Sequence, residues 1–192
     1  MKLYLLSCQN IQTYSQRILP LLPEQRRLAY ARSHSALTLG AGLLLSSFLD
    51  VHRDEDLFFG PHGKAFLTTG KMQFSLSHSQ DHVLLGISDL PIGVDMERKD
   101  RIVSKAAQER ICLPKEKDLD PLLVFTRKEC AMKLTGLGFS LPMRSIDTTS
   151  VYEWNGLEYR FFSMEQEGYL ISILTAEGSL PIIQLLTPEQ LL

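Results

Sequence analysis

The sequence FSLSHSQDHVLLGISDLPIGVDMERKD, Phe74 to Asp100, decides the fold. It contains three largely apolar segments, Phe74–Ser77, His82–Ser88 and Ile92–Met96. Apolar runs of this length with a period of two predict β-strands, and the polar residues Ser79–Asp81 predict that the first two strands form a hairpin. Pro91 separates this hairpin from the third strand.

The third strand ends with two carboxylates, Asp95 and Glu97. Successive side chains of a strand alternate between its faces, so these two share a face about 7 Å apart. Mg²⁺ binds few carboxylates together with waters and phosphate oxygens. The pair therefore predicts half of a magnesium site, and a solvated strand end is the competing interpretation.

Four motifs then indicate a family. In chain order they are GKAF (Gly63–Phe66), FSLSHS (Phe74–Ser79), IGVDMER (Ile92–Arg98) and FTRKECAMKLTGLGFSLP (Phe125–Pro142). Together they resemble the surfactin-type 4′-phosphopantetheinyl transferases, whose motifs are G-K-P, F-N-x-S-H-S, G-[IV]-D-I-E and W-x-x-K-E-[AS]-x-x-K-x-x-G-x-G-L. Each motif is weak alone, and the order makes the resemblance specific.

The resemblance implies an α+β fold, the 4′-phosphopantetheinyl transferase-like fold, in which two similar α+β halves of one chain form a pseudodimer. Residues 1–91 would be the N-terminal half and contribute to coenzyme A binding. Residues 92–192 would be the C-terminal half, with the metal site and the catalytic helix. Because one chain then holds both halves, a monomer is expected.

The implied activity is that of a holo-[acyl-carrier-protein] synthase, used in fatty acid, polyketide or nonribosomal peptide biosynthesis. With Mg²⁺ it would transfer the 4′-phosphopantetheine arm of coenzyme A to a serine of an acyl or peptidyl carrier protein and release 3′,5′-ADP. Two alternatives stay open: a Mg²⁺-dependent nucleotide pyrophosphate hydrolase, and a non-catalytic module that binds coenzyme A or a carrier protein. An acidic carrier would meet basic residues that follow the metal strand: Arg98, Lys99, Arg101, Lys105, Lys115 and Lys117.

The resemblance also implies roles for single residues. Asp95, Glu97 and Glu129 would bind the metal, and Glu129 would accept the proton of the attacking serine. Lys133 and His78 would stabilise the charge on the pyrophosphate. Glu129 and Lys133 are four residues apart in a predicted helix, so a surface ion pair is the alternative.

Coenzyme A contacts are expected from a wider set of side chains: Lys64, Ser77, His78, Lys133, Arg26 and Arg32. The alternatives are a loop lysine for Lys64, a solvated helix face for the arginines and a structural histidine for His78.

Four positions depart from the family pattern. Phe125 replaces a tryptophan, Ala65 replaces a proline, and Ser75 replaces an asparagine, which removes one amide. No clear counterpart exists for an early arginine, near Leu37 or Thr38. That last change leaves the contacts to the adenine and the 3′-phosphate unassigned, with His34 a further candidate.

Composition limits the partners. The 192 residues are 44% hydrophobic and 22% charged, with a net charge of −2. These values are ordinary for a globular domain and do not favour general binding to nucleic acid or to a membrane surface. Three widely spaced cysteines suggest reduced thiols and a cytoplasmic location.

The other elements follow from periodicity, caps and turn residues. Helices are predicted over Pro23–His34, Ala36–Leu49, Ile102–Ile111 and Pro121–Thr135, the last capped by Asp120 and ended by Gly136. Strands are predicted over Met1–Leu6, Ser145–Val151, Leu157–Ser163 and Tyr169–Thr175, with a hairpin turn at Asn155-Gly156.

Overall fold

A computed structural model of the chain describes residues 1–178 and 182–192. Over those residues the strands and α-helices, in chain order, are β1 (Lys2–Ser7), α1 (Ser15–Ile18), α2 (Glu24–Ser33), α3 (Ala36–Leu49), β2 (Leu57–Phe59), β3 (Ala65–Leu67), β4 (Gln73–Ser79), β5 (His82–Ser88), β6 (Gly93–Arg98), α4 (Lys105–Ile111), α5 (Pro121–Thr135), β7 (Tyr152–Trp154), β8 (Leu157–Gln166), β9 (Tyr169–Thr175) and β10 (Ile183–Leu186). The fold is mixed α+β, as predicted. Within the described ranges no helix is long and apolar enough to cross a membrane.

The strands form two four-stranded sheets and a short β2–β3 ribbon. The first sheet has the order β10-β1-β5-β4, and the second has the order β6-β9-β8-β7. Apart from β10 and β7, the chain follows the same path in both sheets: a first strand, then helices, then an antiparallel hairpin. In the first sheet the hairpin is β4–β5 and β5 pairs with β1. In the second sheet the hairpin is β8–β9 and β9 pairs with β6. The two sheets therefore share one connection pattern, with α3 and α5 at equivalent places.

Three apolar clusters define the layers. One lies between α3 and the first sheet and includes Leu43 and Leu85, and another lies between the two sheets and includes Leu84 and Val94. The third lies between α5 and the second sheet and includes Leu134. The order of layers is thus helix, sheet, sheet, helix.

Gly93 brings α5 close to β6. A Cβ atom at this position would lie 1.9 Å from the carbonyl oxygen of Cys130, a distance that no side chain tolerates. Because Gly93, Asp95 and Glu97 share a face, this close approach also turns both carboxylates toward α5.

The edge strands β4 and β6 meet through serine side chains. Ser75 Oγ accepts from the backbone N–H of Val94 at 3.1 Å, and Ser77 Oγ accepts from that of Met96 at 3.2 Å. Buried N–H groups at a strand edge need such partners. The two sheets are therefore joined here by hydroxyl groups.

Most of the predicted elements are confirmed. Helix α3 has the predicted bounds and α5 does as well, with the Asp120 side chain accepting from the N–H of Leu122 and Gly136 at φ 72°. The hairpin turn at Asn155-Gly156 has both residues at positive φ, which suits a two-residue turn. Helix α4 begins three residues later than predicted.

The strand predicted over Ser145–Val151 is wrong. Asp147 Oδ1 accepts from the backbone N–H and the hydroxyl of Thr149, and Asp147 Oδ2 accepts from Ser150. Short polar side chains that bond to nearby backbone compete with a strand. The segment is therefore a turn, and the strand that follows it begins at Tyr152.

Strand β10 was not predicted. It pairs with β1 in parallel, so residues 183–186 belong to the first sheet although they follow the second in sequence. The expected division at residues 91 and 92 lies between β5 and β6, and it stays a prediction. Cys8, Cys112 and Cys130 are all free thiols, and the cytoplasmic location stays a prediction.

A buried ion pair anchors α5. Lys128 Nζ lies 2.9 Å from Glu116 Oε2, and both side chains are 0% exposed. Lys128 also donates to the carbonyl oxygens of Met143 and Ile146, and Glu116 accepts from Thr148. Each charge is thus surrounded by hydrogen-bond partners, which a buried charge requires.

We expect Glu116→Gln and Lys128→Met each to lower the free energy of unfolding by about 3–5 kcal/mol, because either change leaves the other charge buried and unpaired. Urea denaturation measures this. The control is Lys115→Met, which removes the exposed partner of Asp147 and should cost at most about 1 kcal/mol. Similar losses in all three variants would contradict the anchoring role of the buried pair.

Candidate active site

Asp95 is the centre of the candidate site. It is 4% exposed, and its Oδ1 accepts from Lys133 Nζ at 2.7 Å and from Ser77 Oγ at 2.8 Å. Its Oδ2 is buried and has no hydrogen-bond partner in the described structure. An unpaired buried carboxylate oxygen is costly, and it indicates that a ligand belongs there.

Glu97 has a donor on each oxygen. Arg101 donates to Oε1, and Ser79 Oγ donates to Oε2 at 3.1 Å. The Arg101 guanidinium also lies over the Phe125 ring, 4.7 Å from its centroid. Phe125 therefore supports the arginine that binds the second carboxylate.

Glu129 projects from α5 toward the same region and is half-buried. Burial raises its pKa, and repulsion from Asp95 and Glu97 raises it further, while Lys133 partly offsets the shift. The described residues contain no ion pair between Glu129 and Lys133, because Lys133 binds Asp95 instead. The surface ion pair considered from the sequence is therefore absent.

A cavity of about 340 Å³ opens beside these groups, between β4 and α5. Glu129 and Lys133 line one part of it, and Phe74, Leu76 and Met132 line another. The loop that contains Lys64 and the exposed ring of Phe139 complete its wall. The cavity thus combines charged groups with an apolar surface.

Lys64 links this loop to α5. Its Nζ donates to the carbonyl oxygen of Leu134 at 2.8 Å, at the helix C-terminus where a cation is favoured. Burial lowers the pKa of Lys64 to about 8. Lys64 therefore lines the cavity and also caps the helix that carries Glu129.

Ser77 and His78 lie on opposite faces of β4. Ser77 is buried against β6, whereas the His78 side chain is exposed on the face shared by Phe74 and Leu76. The expected roles of both residues in binding coenzyme A stay predictions.

The early arginines lie on α2. Arg26 lines a separate cavity of about 390 Å³, next to Thr38 and Phe59, and burial lowers its pKa. Arg32 is exposed and does not line that cavity. His34 follows the helix in a left-handed conformation.

The three predicted metal ligands face one region without forming a closed set. Across residues 1–178 and 182–192, no group of three or more His, Cys, Asp or Glu side chains is gathered so as to hold a metal ion. Asp95 Oδ2 has no hydrogen-bond partner among these described residues, whereas Glu97 accepts a hydrogen bond on each of its oxygens.

Sequence reasoning missed three contacts: Arg101 with Glu97, Ser79 with Glu97, and the Lys128–Glu116 pair. Arg101 was expected to face the carrier protein instead. The period-two spacing of Ser75, Ser77 and Ser79 was a signal for the serines, since it places them on one face. No local pattern marked the ion pair.

Comparison with known proteins agrees with this geometry. Residues 91–175 match the family model described as the 4′-phosphopantetheinyl transferase superfamily. The matched range extends from β6 to β9 and contains Asp95, Glu97 and Glu129. No curated protein matches the chain.

Lys64 makes stability depend on pH. Its pKa is about 8 in the folded chain against an ordinary value of 10.5, so the folded chain releases this proton first. The free energy of unfolding should therefore rise between pH 8 and 10.5 by up to about 3 kcal/mol more than in Lys64→Met. Denaturation of both proteins across that range measures the difference.

The control is Lys71→Met, which removes an exposed lysine of the following turn and should keep the wild-type pH dependence. Equal slopes for the wild type and Lys64→Met would show that Lys64 titrates normally.

Proposed function

We propose that this protein transfers the 4′-phosphopantetheine arm of coenzyme A to a serine of a carrier protein and releases 3′,5′-ADP. One observation supports this most directly: Asp95, Glu129 and Lys133 meet beside a cavity, within the range that matches the superfamily model. Two carboxylates and a lysine beside a cavity suit the transfer of a charged phosphoryl group.

We propose Mg²⁺ as the metal. It is commonly bound through one or two carboxylates together with substrate phosphates, so Asp95 and Glu129 suffice. The unpaired Oδ2 of Asp95 fits such an ion, and Glu97 would orient waters or Arg101. When bound, the ion would neutralise charge on the pyrophosphate oxygens.

The protein's own groups would then act on the substrates. The carrier serine oxygen forms a bond to the β-phosphorus, and the bond from that phosphorus to the 3′,5′-ADP oxygen breaks. Glu129 takes the serine proton, and its raised pKa makes it a stronger base than an ordinary glutamate. Lys133 holds Asp95 in place and faces the charge on the phosphoryl group.

The cavity beside Glu129 is the proposed place for coenzyme A. Lys64 supplies a positive group, and Phe74, Leu76 and Phe139 supply apolar surface. His78 does not line this cavity, but it is exposed on the same face of β4 as Phe74 and Leu76. Arg26, in its separate cavity, is the better candidate of the two arginines, because Arg32 faces solvent.

The shared connection pattern of the two sheets supports a pseudodimer. Strands β1, β4 and β5 with α3 would correspond to β6, β8 and β9 with α5. The proposed site lies where the halves meet, since Ser77 of one half bonds Asp95 of the other. One chain supplies both sides, which supports a monomeric enzyme.

The direct test incubates the protein with coenzyme A, Mg²⁺ and a panel of apo carrier proteins, followed by mass spectrometry. We expect one carrier to gain a phosphopantetheine arm, and Asp95→Asn and Glu129→Gln to lower kcat by at least about 100-fold. Asp100→Asn, which changes an exposed carboxylate nearby, is the control. Release of 3′,5′-ADP without a carrier would identify a hydrolase. If neither a modified carrier nor 3′,5′-ADP is formed, the protein would be a binding module without catalytic activity.

A basic cleft supports the proposed carrier partner. Lys105, Lys117 and Arg144 line a cavity of about 430 Å³ near the start of α5, together with Glu109 and Glu116. Glu116 is paired with Lys128, and the three cations form no ion pair within the described ranges. Most of the basic residues expected there are instead engaged, as in Arg98–Asp100 and Lys99–Glu165. Three unpaired cations favour an acidic partner.

The cleft also lies within reach of the site. Pro121 lines the cleft and precedes Glu129 by eight residues on α5, which corresponds to about 12 Å along the helix. Ile102, which is 91% exposed, precedes α4 and adds apolar surface. A carrier bound here would hold its serine near Glu129.

We expect the double variant Lys105→Glu/Lys117→Glu to raise KM for the carrier on the order of tenfold at low salt, and less at high salt. KM for coenzyme A should not change. Lys2→Glu/Arg160→Glu reverses two exposed charges on the sheets and is the matched control. An equal rise of both KM values would show that the cleft does not serve the carrier.

A further inference from the structure

Three serines of β4 form a row against β6. Ser75, Ser77 and Ser79 alternate with larger side chains and are 5%, 4% and 9% exposed. Ser75 and Ser77 each accept from a backbone N–H of β6, at 3.1 and 3.2 Å. The row is therefore a buried contact between the two halves.

The row divides into two kinds of serine. Ser77 also donates to Asp95 Oδ1 at 2.8 Å, and Ser79 donates to Glu97 Oε2 at 3.1 Å. Ser75 contacts backbone only, with no carboxylate partner in the described residues. Strand β4 thus contains two serines that donate to a carboxylate, Ser77 and Ser79, and one serine, Ser75, that bonds only to backbone.

The geometry at Ser77 fixes the direction of its proton. The hydroxyl oxygen accepts from the Met96 N–H, so its O–H is directed to Asp95. Asp95 Oδ1 then has two donors, Ser77 and Lys133, which hold the carboxylate plane and direct Oδ2 away from both.

We propose that Ser77 is a positioning residue that orients Asp95 for the divalent cation and does not contact coenzyme A. At 4% exposure, with its proton and one lone pair engaged, Ser77 is buried behind the carboxylate. Ser79 likewise donates to one oxygen of Glu97, and Arg101 donates to the other oxygen. This inference rests on the proposed function and names a residue that supports its metal site.

The test compares Ser77→Ala with Ser75→Ala by titrating each purified chain with Mn²⁺ alone, as a probe for Mg²⁺, followed by electron paramagnetic resonance. Both variants leave one N–H of β6 without its acceptor, so both should lower the midpoint of thermal unfolding by similar amounts. Only Ser77→Ala should weaken Mn²⁺ binding, by about 10- to 100-fold. Ser77→Thr keeps a hydroxyl and should restore most of the affinity.

Each other outcome overturns the proposal. Unchanged Mn²⁺ affinity in Ser77→Ala would show that Ser77 does not orient Asp95 for the metal. Equal weakening of Mn²⁺ binding in Ser75→Ala would assign the effect to the contact between β4 and β6. If the wild type does not bind Mn²⁺, the proposed metal site does not exist. If Ser77→Ala fails to fold, Ser77→Cys keeps the side-chain shape with a weaker donor and should lower affinity in the same direction.

The proposed function can fail separately. Suppose that the wild type binds Mn²⁺, that Ser77→Ala weakens this binding, and that the wild type modifies no carrier protein. The positioning role of Ser77 would then stand, and the proposed transfer activity would be wrong. In an active enzyme, Ser77→Ala should lower kcat at limiting Mg²⁺ and leave KM for coenzyme A unchanged, whereas a contact to coenzyme A would raise that KM.

Discussion

The contact between β4 and β6 is the constraint on which the rest of the structure depends. Both are edge strands, and buried N–H groups at an edge need acceptors. Serine hydroxyls supply them for Val94 and Met96, so the sheets join without a shared backbone ladder. A slip of one residue would turn the serines to the other face and place Leu76 against the N–H groups. The register of the hydroxyls therefore sets the position of both carboxylates.

Helix α5 serves two purposes through neighbouring residues. Lys128 is directed inward, where Glu116 and two carbonyl oxygens hold it, and Glu129 is directed toward the cavity. Adjacent helical residues are separated by about 100° around the axis, so one can anchor the helix while the other reaches the site. Gly93 completes the arrangement, because only a residue without Cβ lets β6 approach the helix.

The basic groups at the site are held by the fold itself. Lys133 binds Asp95, Arg101 binds Glu97 and stacks on Phe125, and Lys64 caps the C-terminus of α5. Long basic side chains lose considerable freedom when they are ordered. Because these contacts already exist, the coenzyme A that we propose as the substrate would meet cations in place, which favours binding through preorganisation.

The sequence by itself determined the elements whose signals are local. The Asp120 cap and Gly136 mark the ends of α5, and the alternation around Asp95 and Glu97 shows that they share a face. Tertiary structure decided the partners. Glu116 meets Lys128, β10 returns to β1, and Ser77 meets Asp95 only after the chain has folded, since each contact joins residues that are distant in sequence. Segment 145–151 forms a turn because the Asp147 side chain bonds to neighbouring residues and to Lys115. These bonds compete with strand pairing, and the alternation of apolar and polar residues gives no sign of them.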